Sequence, residues 1–152
     1  KQGSLSHYMR NRNNERREIT KVLLQMKTVS LHNKTQDRII CQNCGVANNP
    51  LTRMKGLLGR ETLADDEGLL IVPCSSIHMW GMKFALDVIF LTRENVVTDF
   101  AENISPGKIY AAKRHHGKAH AALEVAAGTA ARNGLQWGDQ LEVREIPPCR
   151  RS

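Results

Sequence analysis

The chain has 152 residues, 41% of them hydrophobic and 24% charged, with a formal charge of +7. That is the length of one globular domain, enough to bury roughly 65–70% of its unfolded surface. No apolar run approaches the ~20 residues that a bilayer-spanning helix needs.

Residues 1–26 read as a basic, disordered arm, with residues 1–8 as a cloning remnant, Met9 as a natural start and a short helix around residues 15–25. Six basic side chains (Lys1, Arg10, Arg12, Arg16, Arg17 and Lys21) face only Glu15 and Glu18 there, a local +4. Arg150 and Arg151 add two more, so the fold between is nearly neutral. Such arms attract phosphates without specificity, and their plainer reading is a solvated tail. No specific nucleic-acid partner is expected.

From Lys27 the pattern alternates, with Val29 and Leu31 against Ser30 and His32. Turn chemistry over residues 33–37 and a returning strand over 38–46 predict a hairpin. Thr52 is placed to cap a short helix through Leu58, ended by Gly59. Residues 68–73 predict a short buried strand stopped by Pro73. Residues 84–91 and 95–101 form the clearest hairpin. Residues 113–118 read as a basic surface loop, and 119–126 as a strand with Leu123 and Val125 inward. Gly128 and Thr129 start a single helical turn closed by Asn133 and Gly134. Residues 140–146 are a last strand before Pro147 and Pro148. These elements predict an α+β, mostly β fold: a compact, small, barrel-like antiparallel β fold of about seven short strands with two or three short helices. Residues 27–147 form the single domain and 148–152 a basic tail.

The chemistry concentrates between residues 74 and 91, where Cys74, His78, Met79, Trp80, Met82 and Asp87 interrupt an apolar run. Polar groups in such a run must be paired, coordinated or functional, because burying them bare is costly. One possibility is a ligand pocket lined by His78, Met79, Trp80, Met82 and Asp87, with Arg53 or Arg60 meeting an anion. The plainer alternative has His78 and Asp87 bonded to each other or to backbone in the core. A second possibility is a soft-metal site. Cys74, His78 and Met82 fall at i, i+4 and i+8 and suit Cu(I), although Pro73 and Gly81 break a continuous helix. A third is a thiol enzyme with Cys74 as nucleophile, His78 as base and Asp87 orienting it, without a recognisable nucleophile elbow.

Elsewhere, Cys41 and Cys44 form a Cys-x-x-Cys pair, half of a zinc site or a redox pair. Cys74 and Cys149 supply no second close-spaced pair, and Gly45 and Pro50 follow where a redox motif would open a helix. At least one of Arg53, Lys55 and Arg60 is expected in a structural pairing with Asp87 or Asp139. Asp139 is expected to brace its own turn, and Trp137 to cover the core edge.

Four segments together resemble the domain of unknown function 192 family of bacterial and archaeal proteins. They are residues 53–60; Gly68 to Leu70 with Pro73, Cys74, Ile77 and His78; residues 82–91; and Leu123, Glu124 and Gly128 leading to Gly138 and Asp139. Trp80-Gly81 stands where the family has an aromatic pair, and Ala85 where it has proline. The resemblance implies a compact, mostly β domain and brings no activity with it. Residues and resemblance point to an uncharacterised, non-enzymatic ligand-binding or interaction module, its site at Arg53, His78, Trp80, Met82 and Asp87. Soft-metal binding through Cys74, His78 and Met82, or thiol chemistry at Cys74 and His78, are the alternatives. No cofactor is expected. The expected partner is an unidentified small molecule or protein, the expected state a monomer or weak homo-oligomer, and the expected location cytoplasmic, with export open if the N-terminus is trimmed.

Overall fold

The computed structural model describes residues 26–49, 52–53 and 56–146. The expected arm helix and the tail at 148–152 lie outside these residues. Among the described residues nine strands are formed: β1 (Thr28–Asn33), β2 (Arg38–Ala47), β3 (Glu67–Ile71), β4 (Ser76–His78), β5 (Leu86–Leu91), β6 (Val97–Ile104), β7 (Ile109–Ala111), β8 (Ala121–Ala126) and β9 (Leu141–Glu145). One short helix, α1 (Thr129–Arg132), joins β8 to β9. Seven strands make one sheet in the order β6-β5-β8-β3-β2-β1-β9, and β4 pairs with β7 in a second, two-stranded sheet.

The large sheet curls until its edges touch. Val96, just before β6, bridges Gln140, just before β9. The Val97 N–H donates to the Asp139 carbonyl at 2.9 Å, and the Gly138 N–H to the Val97 carbonyl at 2.8 Å. Right-handed strand twist accumulated over seven strands produces this curl, and edge-to-edge contact satisfies backbone groups that an open edge would leave bare.

The expected barrel-like, mostly β fold is therefore what forms, with local differences. The β2–β3 pair is parallel, Cys44 facing Gly68 and Val46 facing Leu70. The connection over residues 48–66 is long enough to return the chain to the start of its neighbour, which a short hairpin loop cannot do. Strands β4 and β7, only three residues each, are too short to carry a readable period. Of the helix expected over 52–58, Thr52 and Arg53 are helical and residues 56–59 form a turn, with 54–55 outside the described residues.

Strands β5 and β8 are buried at every residue because apolar layers cover both of their faces. Inside the curl, Leu31, Ile89, Leu91, Leu123, Val125 and Leu141 pack with Ala130 and Leu135. On the outside, Leu69, Leu86, Val88, Phe90 and Ala122 pack with Leu57, Ile77 and Met79. That second layer is where the small β4–β7 sheet and the turn after Arg53 lie against the main sheet. Alternation along β8 then sends Leu123 and Val125 inward and Glu124 outward, into this layer.

Candidate functional site

A cavity of about 450 Å³ opens between the outer face of the sheet, strand β4 and the turn after Arg53. Its walls include Arg53, Leu57, Leu58, Ile71, Cys74, Ile77, His78, Trp80, Met82 and Glu124. The volume lies in the range of small-molecule sites, and the lining combines apolar walls with a few polar groups.

Glu124 is the unusual member. It pairs with Leu69 of β3 and Val88 of β5, so its side chain leaves the sheet among apolar neighbours. It is only 7% exposed. Burial alone pushes its carboxyl from an ordinary 4.5 up to about 7, with no donor or cation among the described residues offsetting it. Sequence reading cited Glu124 only as part of a family segment. A charged residue in the middle of an otherwise apolar strand, Ala121–Ala126, is the available signal.

Arg53 lines the same cavity. Asn49 and Thr52 cap each other in front of it, the Thr52 N–H donating to Asn49 Oδ1 at 2.9 Å and the Asn49 N–H to Thr52 Oγ1 at 3.3 Å. One Arg53 terminal nitrogen donates to the Pro73 carbonyl at 3.4 Å, while its buried Nε–H has no partner among the described residues. The guanidinium and the Glu124 carboxyl line the same cavity without forming an ion pair. Nearby, the Cys74 N–H donates to the His120 carbonyl at 2.8 Å, and Cys74 Sγ donates to the Ser76 carbonyl at 3.1 Å. Burial raises the Cys74 thiol, with Glu124 adding to the rise and the Ser76 bond and Arg53 opposing it. That direction is the reverse of what thiolate chemistry needs.

The rim comes from one tight turn. Met79 is fully buried, and its carbonyl accepts N–H bonds from Met82 at 3.3 Å and Gly107 at 2.9 Å. Gly81 makes the turn at φ +74°, a conformation in which a side chain would be strained. Trp80 is thereby thrown outward, 59% exposed, while Met82 turns back to the cavity. The His78 and Trp80 rings lie 5.0 Å apart at 32°.

Of the expected site residues, Arg53, His78, Trp80 and Met82 meet in this cavity with Cys74, but Asp87 does not. Asp87 faces Val125 on the inner side of the sheet and is fully buried. Its carboxylate accepts the Asn103 N–H at 2.8 Å and the Ala130 N–H at 2.9 Å. The second bond satisfies the first turn of α1, whose N-cap, Gly128, has no side chain to do so. Strand alternation across Val88 puts Asp87 and Glu124 on opposite faces, so Asp87 neither lines the pocket nor orients His78.

The other singled-out residues lie outside this cavity. A bulge in the β1–β2 pairing, between Val29 opposite Cys44 and Leu31 opposite Cys41, turns both thiols into the inner core. Cys44, hydrogen-bonded to Cys41 and buried, is held well above the ordinary thiol range. Cys41, Cys44 and Cys74 are unbridged. Asp139 braces its turn as expected, accepting the Gln136 N–H at 3.0 Å and the Asn33 amide at 2.7 Å. Arg60 is the paired arginine, at 2.6 Å from Glu67 and not from Asp87 or Asp139. Trp137 is half exposed and stacks on His115 at 3.7 Å. No group of three His, Cys, Asp or Glu side chains with metal-binding placement occurs among the described residues. A second concavity, lined by Arg93, Glu94, His116, Lys118 and His120, has its charged groups in solvent and no unpartnered buried group among its described residues.

Comparison with known proteins agrees with the fold. The family model DUF192, "Uncharacterized ACR", matches residues 30–143. A crystal structure from Sinorhizobium meliloti 1021, provisionally described as a transcription regulator, is 27% identical, with a TM-score of 0.64 over 77% of this chain and 92% of that one. A protein of unknown function from Novosphingobium aromaticivorans DSM 12444 is also 27% identical, with a TM-score of 0.63 over 76% of this chain and 83% of that one. No curated protein matches.

Proposed function

The chain belongs to the DUF192 family, and from that premise we propose that it is a ligand-binding domain whose site is the cavity between Arg53 and Glu124. One observation carries this reading: a carboxyl group 7% exposed, without a hydrogen-bond partner among the described residues, at the wall of an apolar cavity. Ionising a carboxyl this buried is costly, which is why burial raises its value. A ligand that donates to Glu124 recovers that energy. Cys74, His78, Trp80 and Met82, conspicuous in the sequence, line the same cavity.

A thermal-shift screen of the purified chain against amino acids, amines, nucleosides, sugars and fatty acids tests this. A true ligand at a hundred times its dissociation constant stabilises by about 2.7 kcal/mol, a rise in Tm of roughly 5–10 °C for a chain of this size. Trp80→Ala and Glu124→Gln should each remove the rise. If no compound class shifts the wild-type Tm, the reading fails.

A second reading, Cu(I) held by Cys74, His78 and Met82, is supported by their sharing one cavity. Titration of the reduced protein with Cu(I) separates the two, because Met82→Leu should abolish uptake only under the second.

A further inference from the structure

We infer that the ligand of this cavity is amphoteric: a small molecule whose ammonium meets Glu124, whose carboxylate meets Arg53, and whose apolar body lies against Leu58 and Trp80. The inference rests on the ligand-binding reading above and deepens it.

Two groups of opposite sign lack partners among the described residues. The Arg53 Nε–H is buried without an acceptor among the described residues. The Glu124 carboxyl is buried and meets no donor or cation among the described residues. Both line the same cavity, and Cys74 in that lining feels the field of each. Unlike charges sharing an apolar pocket would ordinarily close on each other, because pairing is how a protein offsets their desolvation. Here they stay apart, so each leaves an unsatisfied site of its own sign.

A ligand with one charge would satisfy one of them and leave the other bare. A dipolar ligand satisfies both and adds no net charge to a low-dielectric space. The rest of the lining suits its body. Leu58 is 45% exposed and Trp80 59% exposed at the rim, ready to be covered by an apolar side chain. At about 450 Å³ the cavity holds an amino acid with room to spare, or a short peptide.

The test uses isothermal titration calorimetry on the full chain with two probes of different charge separation, phenylalanine and glycyl-phenylalanine. Each is supplied as the zwitterion, the C-terminal amide, the N-acetyl form and the doubly blocked form. We expect one zwitterion to bind at least tenfold tighter than either singly blocked form. Glu124→Gln should reduce that zwitterion to the affinity of its N-acetyl form, and Arg53→Met to that of its amide. A doubly blocked probe that binds as tightly as the zwitterion overturns the inference. The wild-type comparison decides this even if a variant folds poorly. If none of the probes binds while a compound of another class raises Tm in the screen, the amphoteric inference falls and the binding site stands. If no class binds, both fall.

Discussion

Val88 of β5 lies directly opposite Glu124 of β8, and this one pairing decides where the site is. It puts the Glu124 carboxyl on the outer face beneath β4 and leaves Asp87, one residue before Val88, on the inner face against α1. Each carboxylate then does different work. Asp87 is satisfied by two backbone N–H groups, and Glu124 is satisfied by nothing in the described chain.

The ligand-free stability should therefore depend on Glu124 and pH. Its folded-state value, about 7, lies above the ordinary 4.5, so the folded chain binds more protons between the two and stability falls as pH rises through that window. Below about pH 4.5 the carboxyl is neutral in both states and the penalty is absent. Glu124→Gln should match wild type near pH 4.5 and exceed it by about 3 kcal/mol at pH 8. Urea unfolding at the two pH values measures this, and a gain independent of pH would contradict it.

Asp87→Ala should cost about 3 kcal/mol, since it removes two charge-assisted bonds and leaves the Ala130 and Asn103 N–H groups bare. Asp87→Asn keeps one acceptor oxygen and should cost roughly half as much. Well below their Tm, both variants should retain the ligand affinity of wild type. A loss of affinity with folding intact would return Asp87 to the site.

Gly68→Ala tests the packing behind Glu124. A Cβ there would come within 2.9 Å of the Glu124 backbone carbonyl and of Cys41 Sγ, with Val125 at 3.2 Å. The carbonyl belongs to the ladder and cannot swing away. A loss of about 1–3 kcal/mol is expected in chemical denaturation, with weakened ligand binding as β8 shifts. A neutral effect would show that β3 and β8 are less tightly packed than this.

Thiol reactivity distinguishes the cysteines. In a Cys149→Ser background, Cys74 should be alkylated at neutral pH more slowly than a free thiol, because burial raises it. Glu124→Gln should speed the reaction, since the carboxylate adds to that rise. Cys41 and Cys44, at 1% and 0% exposure, should react only on unfolding. Fast native alkylation of Cys74 would revive the thiol-enzyme alternative.

Local sequence was sufficient wherever local physics decides the outcome. Turn residues between Asn33 and Arg38 and between Leu91 and Val97 predicted both hairpins, and the apolar run at Leu69–Ile71 predicted a buried strand. The cluster of Cys74, His78, Trp80 and Met82 was visible because reactive side chains in an apolar run are conspicuous at any register. What remained hidden depends on neighbours distant in the chain. Strands β4 and β7 are three residues long and exist only through each other. The parallel β2–β3 pair and the bulge that turns both Cys41 and Cys44 inward come from pairing, not from propensity. Above all, the sequence by itself determined that carboxylates stand in apolar strands at positions 87 and 124. Only the tertiary structure decided which one faces the cavity, because a strand covered on both sides shows no alternation to read, and its two faces become distinct only when other elements pack on them.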